Sequence, residues 1–100
     1  MRAIIITRWS PENIVEVNKI GVALAKGEGP KEIQEAANRC KMIAYEIPYG
    51  QCCSVVIVEG DEKDIFTGTR SYYDIAKCEI MPSFPMETII KLEVPWKAQK

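Results

Sequence analysis

The chain has 100 residues, 47% of them apolar and 27% charged, and its 13 basic and 14 acidic side chains leave a net charge of −1. This composition fits one globular domain over residues 1–100 and excludes a disordered chain. The balanced charge excludes a general nucleic-acid or anionic-membrane binder, which needs a basic face.

Arg2 to Trp9 contains the β-branched run Ala3-Ile4-Ile5-Ile6 and reads as a buried strand. The run is too short for a membrane span or a secretory leader, so the protein is expected in the cytoplasm. Ser10-Pro11-Glu12-Asn13 is a helix start. It offers a capping hydroxyl, a proline suited to the first helical position, and an acid near the positive end of the dipole. Ile14, Val17, Ile20, Gly21 and Leu24 then recur at helical spacing, and Lys26-Gly27 ends the helix with glycine in a left-handed cap.

Gly27-Glu28-Gly29-Pro30 is a break rather than a domain linker. Lys31 to Ala37 is expected to add a helical turn or two, and Asn38 to Ile47 to form the second strand. Pro48-Tyr49-Gly50 reads as a tight turn into a third strand, Cys52 to Glu59. Asp61 caps the next helix, whose inner stripe is Ile65, Phe66, Thr69, Tyr72 and Tyr73. Ile75 to Met81 is the fourth strand. After the turn Pro82-Ser83-Phe84-Pro85, Met86 to Val94 is expected as a short amphipathic helix stopped by Pro95. Lys97-Ala98-Gln99-Lys100 reads as a solvated basic tail.

The order β-α-β-β-α-β predicts an α+β, ferredoxin-like sandwich: a four-stranded antiparallel sheet, both helices on one face, and a short C-terminal helix. A three-residue loop at Pro48-Tyr49-Gly50 would set Tyr45 opposite Cys53 and Ile43 opposite Val55. One face then carries Ile43, Tyr45, Ile47, Cys53, Val55 and Ile57, and is assigned to the helices. The other carries Cys40, Met42, Ala44, Glu46, Cys52, Ser54, Val56 and Val58. That second face is too apolar to meet water, so a second copy of the chain is expected to cover it.

The opening Ile4-Ile5-Ile6-Thr7-Arg8-Trp9-Ser10-Pro11 and the closing Cys78-Glu79-Ile80-Met81-Pro82, each followed by a helix, resemble small members of the dimeric α+β barrel superfamily. That group includes the stress-responsive barrel, muconolactone-isomerase-like and antibiotic-biosynthesis-monooxygenase-like proteins. The resemblance covers most of the chain through short motifs, and implies this fold and a homodimer. The group spans cofactor-free oxygenases, isomerases and proteins of no known reaction, and its enzymes commonly use histidine or other polar groups in the barrel. This chain has no histidine, so the resemblance assigns it no catalytic residue.

The missing histidine also removes the commonest general base and any Ser-His or Cys-His dyad. Cys40, Cys52, Cys53 and Cys78 form no Cys-x-x-Cys pair, and neither a metal nor a cofactor is expected. Cys52 and Cys53 are adjacent and point to opposite faces, while Cys40 and Cys52 lie roughly 20 Å apart along the hairpin. That spacing excludes a disulfide within one subunit, and the thiols read as core filling. Asp61-Glu62-Lys63-Asp64 lacks the glycine and distal glutamate of a calcium loop and reads as a helix cap.

Lys77 and Glu79 share a strand face. With Glu46 they offer a polar ligand contact or an acid–base pair, set against solvated-edge and ion-pair readings. Trp9, at the end of a central strand, is the leading ligand contact among the aromatics Trp9, Tyr49, Tyr72, Tyr73 and Trp96. The candidate ligand contacts are thus Trp9, Met42, Glu46, Cys52, Ser54, Lys77 and Glu79. An RNA-recognition domain is rejected because the third strand carries no aromatic, and a heavy-metal carrier because the loop after the first strand lacks cysteine. The expected function is small-ligand binding between the sheet and its dimer mate. The alternative is an interaction or ACT-like sensor module whose second face only forms the dimer. Enzymatic activity is left open.

Overall fold

Arg2–Trp9 forms strand β1, followed by helices α1 (Ile14–Ala25) and α2 (Lys31–Arg39) and strands β2 (Lys41–Glu46) and β3 (Cys53–Glu59). Helix α3 (Glu62–Gly68), strand β4 (Ala76–Pro82) and helix α4 (Met86–Lys91) complete the order, with 3-10 turns at Pro11–Asn13 and Arg70–Tyr72. The computed structural model describes residues 1–91. The expected helix end at Val94 and Pro95, Trp96 and the basic tail lie outside the described residues.

The strands make one antiparallel sheet in the order β2-β3-β1-β4. The β-branched segments β1 and β3 are central, and β2 and β4 are its edges. Strands β1 and β2 both run antiparallel to β3, so α1 and α2 span a crossover over an intervening strand; α3 does the same between β3 and β4.

Local signals place the helix ends. Gly27 adopts φ 78°, and the Glu28 and Gly27 amides return to the Ala23 and Leu24 carbonyls at 2.8 and 3.2 Å, closing α1 with a glycine cap. Asp61 caps α3 by accepting from the Lys63 amide at 3.3 Å. Ser10 caps differently from the expectation: its hydroxyl donates to Glu12 Oε1, and a 3-10 turn leads into α1.

Helix α2 is longer than expected and runs through Arg39, so β2 starts only at Lys41. Two contacts hold the extra turn. Gln34 Nε2 donates to Asn38 Oδ1 at 3.0 Å, and Arg39 grips the Asp64 carboxylate on α3 at 3.1 and 2.8 Å.

The β2–β3 register overturns the expected assignment of faces. Gly50 does take φ 74° and the Gln51 amide closes a turn on Pro48 O at 3.2 Å, but pairing resumes only at Glu46 and Val55. Tyr45 therefore faces Val56 instead of Cys53, a slip of three residues, and an odd slip exchanges the two faces of one strand relative to the other. A bulge between Met42 and Ala44 then brings Met42 opposite Val58, so Met42 and Tyr45 share one side.

The side under the helices carries Ala3, Ile5 and Thr7 of β1, their partners Val58, Val56 and Ser54, and Cys78 and Ile80 of β4. Ala3 and Val58 pack with Ile65 of α3 in the core. The open side carries Ile4, Ile6, Ala44, Val55 and Ile57. The expectation that Cys53, Val55 and Ile57 face the helices is thus corrected, as is the placing of Cys40, Met42, Ser54, Val56 and Val58 on the face away from them. The smaller side chains lie beneath the helices. Arg2–Glu59 and Arg8–Glu79 ion pairs stand at the two ends of the open face. Among the described residues no helix is long and apolar enough to cross a membrane.

Candidate functional site

Val17, Gly21 and Leu24 of α1, Gln34 and Ala37 of α2, and Ile65 of α3 look down on Ile5, Thr7, Ser54, Val56 and Val58 of the sheet. Between them lies a cleft of about 390 Å³. Met42 and Tyr45 also line it and are 59% and 49% exposed, so its mouth lies along the β2 edge. The surrounding core is thin. Its buried apolar residues are Ala3, Val17, Ala36, Val58 and Ile65, and no large side chain is fully buried among the described residues.

In helix α1, Ile14, Val15 and Val22 turn outward; each is exposed, although Ile14 belongs to the expected inner stripe. The same happens after α3. The helix stops at Gly68, and the 3-10 turn that follows brings Tyr72 to the cleft while leaving Tyr73 84% exposed. Phe66 is likewise exposed, so that stripe is corrected to Ile65, Thr69 and Tyr72.

The cleft is mostly apolar, with a polar patch on its floor. Thr7 and Ser54 are cross-strand partners and both are buried. Thr7 Oγ1 lies 3.4 Å from Cys78 Sγ, an exchange in which either atom can donate. Gln34 is buried on the roof, where its amide accepts from Gly29 N at 3.0 Å and donates to Leu24 O at 3.2 Å. Burial pushes the Tyr72 phenol up to about 12, with Tyr45 and Cys78 adding to the effect, so at neutral pH it is an uncharged donor. Burial, then Asp64, also raises the Cys40 thiol, which makes it a poor nucleophile.

Among the described residues the lining contains no lysine or arginine, and its one carboxylate, Asp64, is paired with Arg39. Hydroxyls, amides and a phenol without an adjacent base can orient a molecule by hydrogen bonds. They offer no proton-transfer pair.

The expected site residues divide between the two sides of the sheet. Met42 and Ser54 line the cleft. Glu46, Lys77 and Glu79 face the open side, and Glu79 is engaged by Arg8. Glu46 lies on one edge strand and Lys77 and Glu79 on the other, three strand spacings or roughly 14 Å apart, so the proposed acid–base convergence does not occur. Trp9 and Cys52 stay outside the cleft; the Trp9 amide donates to Cys52 O at 3.0 Å, and Cys52 sits in a bend before β3. Tyr49 is fully exposed.

Thr7, Gly21 and Gln34 were not singled out as contacts. A hydroxyl closing the apolar run of β1 and an amide at an inward position of an amphipathic helix are the signals that mark Thr7 and Gln34. Among the described residues no group of three or more His, Cys, Asp or Glu could hold a metal ion. Compared with protein-family models, curated proteins and solved structures, the chain finds no match.

Proposed function

We propose that this chain is a small-molecule-binding domain of ferredoxin-like layout that holds its ligand in the cleft between the helices and the sheet. The cleft itself carries this reading. Its volume of about 390 Å³ lies within the ~300–1,000 Å³ range of small-molecule sites, and an apolar wall with a few convergent polar groups is their usual chemistry. The central β1 and β3 and the two crossovers support the ferredoxin-like layout. Free cysteines at 40, 52, 53 and 78 suit a cytoplasmic setting.

Titration with the neutral fluorophore N-phenyl-1-naphthylamine tests the cleft. The expected result is saturable enhancement with one site per chain, lost in Gly21→Leu, whose side chain enters the cleft. Enhancement that never saturates, or that survives in Gly21→Leu, contradicts the reading.

A separate observation favours a homodimer through the open face. Ile4, Ile6, Val55 and Ile57 form an apolar block there, with the Arg2–Glu59 and Arg8–Glu79 pairs at its ends. A two-fold copy would set apolar block against apolar block and keep the charges at a polar rim. Light scattering at low micromolar concentration should give twice the chain mass, and Ile57→Glu should return it to one. A wild-type monomer overturns the dimer and leaves the cleft untouched.

A further inference from the structure

Resting on the reading of the cleft as a ligand site, we propose that its ligand is a neutral, largely apolar molecule with one hydrogen-bonding oxygen, a ketone or an alcohol, held by the Ser54 and Thr7 hydroxyls. These two side chains are 5% and 6% exposed, lie opposite each other on adjacent central strands, and both line the cleft. A buried hydroxyl whose partner is weak gains from a stronger one. Thr7 has only the sulfur of Cys78, a weak partner, at 3.4 Å. Ser54 stands opposite Thr7 on the same cleft floor, and its hydroxyl can both donate and accept. A ligand oxygen delivered between them would meet two hydroxyl donors at once.

The rest of the lining selects against charge. A carboxylate entering the cleft would leave water without meeting a lysine or arginine among the described residues. It would also approach Asp64, the one carboxylate of the lining among the described residues. A cation fares no better, because Asp64 is already held by Arg39 in two hydrogen bonds of 3.1 and 2.8 Å. The phenol of Tyr72 stays neutral far above physiological pH and adds a further donor rather than a charge. Ile5, Val17, Leu24, Val56 and Ile65 supply the apolar wall for the body of the molecule.

The test is displacement of N-phenyl-1-naphthylamine from the full chain by decan-2-one and by decanoate, two probes of equal length that differ in their head group. The ketone is expected to displace the fluorophore at about tenfold lower concentration than the carboxylate at neutral pH. In the double variant Thr7→Val/Ser54→Ala, which preserves volume closely, ketone affinity should fall about threefold to tenfold while fluorophore binding is retained. Equal displacement by decanoate, or undiminished ketone affinity in a double variant that still binds the fluorophore, overturns the ligand class and leaves the cleft reading standing. Failure of the wild-type chain to bind the fluorophore at all overturns both.

Discussion

The hydroxyl of Tyr72 lies 3.6 Å from the point where a Cβ on Gly21 would stand. Glycine in the middle of α1 therefore keeps open the gap between that helix and the turn after α3, at a cost to the helix. A methyl group fits there in ordinary van der Waals contact. Gly21→Ala should stabilise the protein by about 0.5–1 kcal/mol through helix propensity. The midpoint of urea unfolding should rise with an unchanged slope, and cleft volume should fall only slightly.

Gly60 presents the opposite case. A Cβ there would meet Cys40 Sγ at 2.7 Å and the Cys40 backbone Cα at 3.4 Å. Cys40 packs against the Ala3–Val58–Ile65 core and follows directly on α2, so it has little freedom to retreat. Gly60→Ala should destabilise by about 1–3 kcal/mol, an overpacking cost. Cys40→Ala in the same background should recover part of the loss, read by thermal unfolding of the single and double variants.

Gln34 holds the α1–α2 connection from beneath, through Gly29 N, Leu24 O and Asn38 Oδ1. Gln34→Ala strands the Gly29 amide next to the cleft and leaves the Leu24 carbonyl without its side-chain donor, held only by backbone amides of the cap. The expected loss is about 1–3 kcal/mol. Hydrogen exchange should show faster opening confined to residues 24–38, with the β1–β3 amides protected as before.

Local structure was legible wherever a few adjacent residues encode it. Gly27, Gly50 and Asp61 each form the expected cap or turn, because φ freedom and a short acceptor side chain act within one turn of chain. The strands and their approximate bounds were legible from β-branched runs. The β2–β3 register was not, because it depends on where pairing resumes after the turn and on a one-residue bulge at Ile43, neither of which has a local signature. The consequence reached the site. Met42 and Ser54 were read as ligand contacts on the face away from the helices, beside Glu46; the true register sets both beneath the helices and leaves Glu46 on the other side of the sheet. Tyr72 was legible as an inward aromatic; Tyr73 was misread because helical periodicity was extended past Gly68 into a 3-10 turn, and Phe66, inside α3, because its apolar side chain was counted inward beside Ile65.

The raised Tyr72 pKa has a definite sign in stability. Its folded value, about 12, exceeds the ordinary phenol value of 10.0. The neutral phenol is thus favoured by folding, and its contribution is fully present below pH 10 and is lost as pH rises through 12. An alkaline absorbance titration should show a late phenolate component near pH 12 that disappears in Tyr72→Phe. Ligand binding should be independent of this group between neutral pH and pH 9.

The most direct test is methyl NMR of the full chain titrated with decan-2-one, because isoleucine and valine methyls report on both sides of the sheet. Perturbations concentrated at Ile5, Val17, Val56 and Ile65, with Ile4, Ile6, Val55 and Ile57 unmoved, are the predicted result. Perturbations confined to Ile4, Ile6, Val55 and Ile57, or no saturable shift on either side, would contradict a ligand site beneath the helices.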